Sequence, residues 1–273
     1  MNPVSLAGRR ALVVGASRGI GAAVASRLAA DGAAVAAVAR NAGDLAAVVD
    51  RLPGEGHSTH ALDLTLSGDR NRLVEQLGPG PVDIVVSGLR VRRPWQRLDS
   101  LDPDSLGSAL AENTGYLAHL IAALVPGQRA CGFGRWVVLS SSVAGLGGEG
   151  QGAYVAQKAA LEGLVRTLAL EEGRFGITAN VVAAGFVSTE GTDGAYAPEV
   201  RDALGRANAL GRPGRADEVA HVVSMLADPR CGFVTGATVP VSGGTELGWA
   251  IGAAVRAARD TSAASQRGHD GAR

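Results

Sequence analysis

The sequence is nearly without lysine: 25 arginines stand beside a single lysine, Lys158. A codon bias toward arginine accounts for the ratio. It also means that the one retained lysine marks a place for a compact ammonium rather than a planar guanidinium. Cysteine is scarce as well. Cys131 and Cys231 make neither a disulfide framework nor a zinc cluster, and the five scattered histidines form no H-x-x-x-H pair, so no metal site is expected. Net charge is absent, with 26 Lys+Arg against 26 Asp+Glu. Binding to nucleic acid by phosphate neutralisation needs a basic excess, so that class is excluded. No apolar run reaches the ~18 residues of a membrane span. The apolar stretch that follows Arg9 and Arg10 is too short for a secretory signal. A reducing, cytoplasmic setting is the expectation that follows, with no membrane partner. What is present is an ordinary globular composition, 46% hydrophobic and 19% charged, over a chain long enough to bury one substantial core.

Apolar runs alternate with helical patterns. Strands are expected at Ala11–Val14, Ala33–Ala39, Ser58–Leu62, Val82–Val86, Trp136–Leu139, Thr178–Val182 and Thr238–Val241. Helices are expected at about 19–30, 42–52, 67–77, 102–125, 152–173 and 216–227; in the first, Ile20, Val24 and Leu28 recur on one face. Strands that are continuously apolar, each followed by a helix, predict an α/β fold with a doubly wound parallel sheet covered on both faces. No linker-like stretch appears before residue 253. One domain is therefore expected over 1–252, followed by a tail at 253–273 that is mobile or partner-dependent.

The first strand runs into Gly15-Ala16-Ser17-Arg18-Gly19-Ile20-Gly21. Glycines between a first strand and a first helix allow a tight turn and close approach of backbone to a pyrophosphate. The helix N-terminus then offers free N–H groups to the phosphates. The spacing is G-x-x-x-G-x-G rather than G-x-G-x-x-G, and glycine is common in this chain, so position carries more weight than pattern. The second strand ends at Arg40, where an NAD site usually has a carboxylate for the ribose hydroxyls. Arg40 and Arg18 together suit a 2′-phosphate, which favours NADP(H) over NAD(H). Two solvated arginines would be the plainer explanation.

Tyr154 and Lys158 lie four apart in a helical pattern, about 5–6 Å from each other at Cβ. A phenol with an ordinary pKa of about 10 is a poor proton donor–acceptor at neutral pH, and a neighbouring ammonium favours its phenolate. With the glycine loop and the alternating pattern, this Y-x-x-x-K resembles the short-chain dehydrogenase/reductase family, in its single-domain branch with a Rossmann-type sheet. The resemblance covers residues 6 to about 247. Asp63-Leu64 resembles the family's pair beside the adenine. Asn113 resembles the asparagine that holds a proton-relay water. Ser140-Ser141-Ser142, before Val143-Ala144-Gly145, is similar to the serine segment after strand five; the spacing to Tyr154 puts the catalytic role on Ser141, whereas alignment on Val143-Ala144-Gly145 would put it on Ser142. Gly185, Val187 and Thr189, in Ala184-Gly185-Phe186-Val187-Ser188-Thr189, resemble the segment near the nicotinamide amide. Val241-Ser242-Gly243-Gly244 resembles the closing D-G-G. There are departures: Ser87-Gly88-Leu89-Arg90 stands where the family has N-N-A-G, Ala184 where it has proline and Val14 where it has threonine. Gly88 still permits close approach to the adenosine ribose.

The resemblance implies hydride transfer with Tyr154 as acid, Ser141 holding the substrate oxygen, Lys158 lowering the Tyr154 pKa and holding the nicotinamide ribose, and Asn113 relaying protons. It implies a cofactor held by Gly15, Ser17, Arg18, Gly19, Ile20, Gly21, Arg40, Asp63, Leu64, Gly88, Tyr154, Lys158, Gly185, Val187 and Thr189. With NADPH, the expected reaction is reduction of a ketone to a secondary alcohol. An NAD-dependent secondary-alcohol dehydrogenase and a catalytically silent NADP-binding regulator are the alternatives. A lid is expected over about 188–212, with Tyr196 either touching substrate or on the surface. Trp95, after the basic run Arg90-Val91-Arg92-Arg93, is placed to wall an apolar pocket for an aromatic or polyketide-type ketone. The basic run would also suit an acyl carrier protein as partner. Small residues on the 152–173 helix suit a homo-oligomer, dimer or tetramer.

Overall fold

The inner strands of this protein are largely apolar because they are buried on both faces, as at Ala11–Val14 and Ile84–Val86, whereas the edge strands Ser58–Ala61 and Thr238–Val241 are partly exposed. In the computed structural model, which describes residues 4–89 and 94–247, the chain runs β1 (Arg10–Val14), α1 (Gly19–Ala30), β2 (Ala34–Ala39), α2 (Ala42–Val49), β3 (Ser58–Ala61), α3 (Ser67–Leu77) and β4 (Ile84–Ser87). It continues as α4 (Pro103–Cys131), β5 (Gly134–Ser141), α5 (Val143–Leu146), α6 (Gly152–Glu172), β6 (Ile177–Ala184), β7 (Val187–Ser188), α7 (Glu190–Asp193), α8 (Pro198–Arg206), β8 (Gly214–Arg215), α9 (Ala216–Ala227) and β9 (Thr238–Val241). Arg90–Arg93 and the tail at 253–273 lie outside the described residues.

Seven strands form one sheet in the order β3-β2-β1-β4-β5-β6-β9, with every pairing parallel. Alternate side chains feed two core layers. Val13, Val35, Ala37, Ile84, Val137 and Val182 pack with Val24 and Leu28 of α1 and Val219 and Val223 of α9. Leu12, Val38, Val85, Trp136, Val138 and Val181 pack with Leu73 of α3, Leu117 and Leu120 of α4, and Leu161 and Val165 of α6. This is the single-domain, doubly wound α/β architecture of the Rossmann type. Strand order reverses between β1 and β4, which opens a crevice at the carboxyl ends of the strands, where such sheets bind ligands.

Two local outcomes differ from the sequence expectation. Helix α4 passes through Pro126 to Cys131 instead of stopping at 125. Its last turn is held by tertiary contacts: Gln128 Nε2 donates to Val82 O at 2.7 Å, Trp136 Nε1 donates to Gln128 Oε1 at 2.7 Å, and Arg129 Nε donates to Glu172 at 2.6 Å. Strand β4 begins at Ile84 rather than Val82, because Asp83 is taken up by Arg9 and by the Arg10 backbone N–H. The segment expected as a lid, about 188–212, contains α7 and α8 and is flanked by β7 and β8, which pair as a separate two-stranded sheet. No helix among the described residues is long and apolar enough to cross a membrane.

Candidate active site

One continuous cleft of about 1240 Å³ opens at the carboxyl edge of the sheet. Its floor comes from the glycine loop. Gly15 has φ +83, and a Cβ there would lie 2.8 Å from Gly88 O; a Cβ on Gly21 would collide with Gly15 O. Strand end, loop and helix start are thus in direct backbone contact. Arg18 is the N-cap of α1, with no side-chain cap bond and no acidic residue in the first turn. The first-turn N–H groups and the positive end of the helix dipole are therefore left for an external anion. Gly15, Ser17, Arg18, Gly19, Ile20, Gly21, Leu64 and Gly88 all line the cleft. A Cβ on Gly88 would lie 2.7 Å from Val14 O, so this position serves the packing of β1 against β4 as well as access to a ligand.

At the far end of this half sit Arg40, Asn41 and Asp44. Arg40 is 72% exposed and lies 3.8 Å from Asp63 Oδ2. An exposed pair at that distance costs little to break, so the guanidinium is available to a ligand. Asp63 itself does not line the cleft: its Oδ1 accepts from the Thr65 N–H and hydroxyl at 3.0 and 2.8 Å, which shapes the loop after β3. The residues present fit a dinucleotide: an open helix N-terminus suits phosphates, and the glycine contacts leave the backbone exposed to a ligand.

The other half is built by β5, α6 and the chain after β6. Tyr154 and Lys158 occupy successive turns of α6, with Lys158 Nζ 5.9 Å from the Tyr154 ring centroid. Lys158 is buried and its Nζ donates to Leu139 O at 2.9 Å, which ties α6 to the end of β5. Ser140 is drawn away by Glu162, its Oγ donating to Oε1 at 2.6 Å. Ser141 ends β5 opposite Ala184, and Ser142 follows with its N–H donating to Ala184 O at 3.0 Å; both line the cleft. Gly185 lies so close to Ser242 that a Cβ would come within 2.7 Å of its Cα. Val187 and Thr189 reach the cleft, and Thr189 packs against Gly19 while capping α7 through Thr192.

Asn113 is not at the cleft surface. It is buried in α4, its Nδ2 donates to Ala109 O at 3.2 Å, and its Oδ1 has no protein partner. Gln157 Nε2, beside Lys158, is likewise buried without a partner. Tyr196 lines the cleft and meets Phe186 edge-to-face, with centroids 6.1 Å apart at 70°.

Sequence reasoning missed Tyr116. Its hydroxyl bonds Ser87 Oγ at the end of β4 and the Leu89 backbone in the half-buried loop that follows, and burial pushes its pKa up to about 12. An aromatic residue three positions after Asn113 was the available signal.

The chain matches, over residues 15–246, the sequence profile described as enoyl-(acyl carrier protein) reductase. It is 38% identical over 248 residues to the 3-oxoacyl-[acyl-carrier-protein] reductase FabG of Pseudomonas aeruginosa, covering 88% of this chain and 98% of that protein. It is 35% identical over 246 residues to the short-chain reductase protein NovJ of Streptomyces niveus, covering 86% and 92%. The crystal structure of a 3-oxoacyl (acyl-carrier-protein) reductase from Agrobacterium tumefaciens with NADP bound superposes with a TM-score of 0.82 at 34% identity, covering 88% and 95%. With the parallel sheet, the open helix terminus and the Tyr154–Lys158 pair in one cleft, these matches place the chain in the short-chain dehydrogenase/reductase family, as an NAD(P)-dependent oxidoreductase.

Proposed function

We propose that the protein is an NADPH-dependent ketoreductase that converts a 3-oxo substrate, free or carried as an acyl-carrier-protein thioester, to the secondary alcohol. The observation that carries this reading is the Tyr154–Lys158 pair, anchored by Lys158 to the strand that delivers Ser141. The names of the Pseudomonas and Agrobacterium relatives support the substrate class, and the NADP bound by the latter supports the cofactor.

The nicotinamide cofactor supplies the reducing equivalent when bound; the protein's part is position and protons. Arg18 and Arg40 would hold the 2′-phosphate, and the first turn of α1 would take the pyrophosphate. Ser141 donates to the substrate oxygen as negative charge grows on it. Tyr154 delivers the proton to that oxygen, and the Lys158 ammonium one turn away favours the phenolate left behind. Asn113 Oδ1, buried and unsatisfied by protein, suits a water that passes protons toward Lys158. Small faces on α6, such as open Gly163, suit a homo-oligomer, dimer or tetramer, which light scattering measures.

The test is NADPH consumption with a panel of 3-oxo thioesters, secondary ketones and 2-enoyl thioesters. Turnover of the 3-oxo compounds alone supports the reading; turnover of the enoyl compounds alone overturns it. Tyr154→Phe should lower kcat by roughly 10²–10⁴-fold, the usual worth of a general acid, while NADPH binding followed by fluorescence survives.

A further inference from the structure

The cleft is unevenly charged. Its charged lining residues among those described are Arg18, Arg40 and Asp44 at the cofactor end, and Lys158. Past Tyr154 the lining among the described residues is uncharged, and in a chain only 4% aromatic it includes Trp95, Phe186 and Tyr196. Phe186 and Tyr196 already form an edge-to-face pair. Trp95 is 67% exposed, yet its place is fixed. The Gln96 N–H donates to Gly150 O at 2.9 Å, Gln96 and Gln151 form a β-bridge, and a Cβ on Gly150 would collide with the indole. Gly150, at φ +67, therefore lies against the indole, while most of the Trp95 side chain stays exposed in the lining of the cleft.

We propose, building on the ketoreductase reading, that the substrate is an aryl ketone whose ring packs between Trp95 and the Phe186–Tyr196 pair. A large indole held in the open loses contact with water only when a ligand covers it. Aromatic pairs contribute beyond the area they bury, and here that amounts to about three- to tenfold in affinity over a saturated group of equal size.

The experiment compares ethyl benzoylacetate with its cyclohexyl counterpart, ethyl 3-cyclohexyl-3-oxopropanoate, under NADPH. These esters match in size and differ in the π system. The readout is the phenyl-to-cyclohexyl ratio of kcat/KM relative to that of Trp95→Ala, so that the intrinsic reactivity of each ketone cancels. The ratio should fall about three- to tenfold in Trp95→Ala and in Gly150→Ala, and be retained in Trp95→Phe. Trp95 is exposed, so its replacement leaves the fold intact, which a thermal melt verifies. A ratio unchanged in Trp95→Ala overturns the inference. Calorimetric binding of both esters to the NADP-loaded protein separates the two readings: if neither these esters nor the 3-oxo thioesters and ketones of the panel are turned over, the ketoreductase reading fails, while a phenyl preference in binding that Trp95→Ala abolishes still upholds the aromatic site, and equal binding of the two esters rejects it.

Discussion

The hydroxyl of Tyr116 on α4 is hydrogen-bonded to Ser87 Oγ at the end of β4, and both side chains are buried. Ser87-Gly88-Leu89 occupies the place where the family carries a pair of asparagines, and the phenol that reaches into it also bonds the Leu89 backbone. The loop that lines the cleft beside the glycine turn is thus held from behind by a residue on a different element. Tyr116→Phe leaves the buried Ser87 hydroxyl and the Leu89 amide without that partner, which costs ~1–3 kcal/mol. Thermal denaturation should show a fall in Tm of several degrees. Combining it with Ser87→Ala should cost less than the sum of the two single changes, because the two groups satisfy one another.

The choice between Ser141 and Ser142 is open to a direct kinetic comparison. Ser141→Ala should lower kcat by roughly 10²–10³-fold, the worth of one oxyanion donor, and Ser142→Ala should have little effect. The opposite order moves the catalytic role to Ser142. Ser140 is occupied by Glu162, so Ser140→Ala should act through stability rather than through substrate binding.

Arg40 should set the choice of cofactor. Its only ion pair among the described contacts is the weak one with Asp63 at 3.8 Å, so its guanidinium can turn to a 2′-phosphate. The wild-type protein should favour NADPH over NADH by more than about tenfold in kcat/KM, which needs ~1.4 kcal/mol of discrimination. Arg40→Asp repels the phosphate and can accept from two ribose hydroxyls, so most of that preference should vanish. Measurement at one ionic strength is essential, because salt screens the contact. A wild-type preference for NADH removes the argument for the reductive direction.

Acid should weaken the fold through Glu172. Arg129 on α4 donates to its carboxylate, which is 2% exposed at the end of α6, and this hydrogen bond holds its pKa below the ordinary carboxylate value. A pKa lowered in the folded state means a contribution that is present above the unfolded value of about 4.3 and lost as pH falls toward the folded one. Glu172→Gln should therefore destabilise by ~1–2 kcal/mol at pH 7, toward the low end because Arg129 is half exposed and screened. The gap between variant and wild type in urea denaturation should start to narrow as the pH falls below about 4.3 and close only below the lowered folded-state value.

Much of this protein was legible in its sequence. Apolar runs such as those read at Ala33–Ala39 and Val82–Val86 announced strands covered on both sides, found at Ala34–Ala39 and Ile84–Ser87. The glycines at 15, 19 and 21 were readable because each is needed where backbone meets backbone, and Tyr154 and Lys158 because four residues of helix bring two side chains to one face. These signals are local: periodicity, capping and turn chemistry are fixed by neighbours along the chain. Tertiary structure decided what distant residues do to one another. It carried α4 past Pro126 by anchoring Gln128 to Val82 and Trp136, set Asn113 behind the cleft instead of in its wall, and turned Asp63 to its own loop. It filled the gap at Ser87 with Tyr116 from 29 residues away, and laid the indole of Trp95 on Gly150. No spacing rule links such positions, because packing density and the need to pair buried polar groups are satisfied in space and not in sequence.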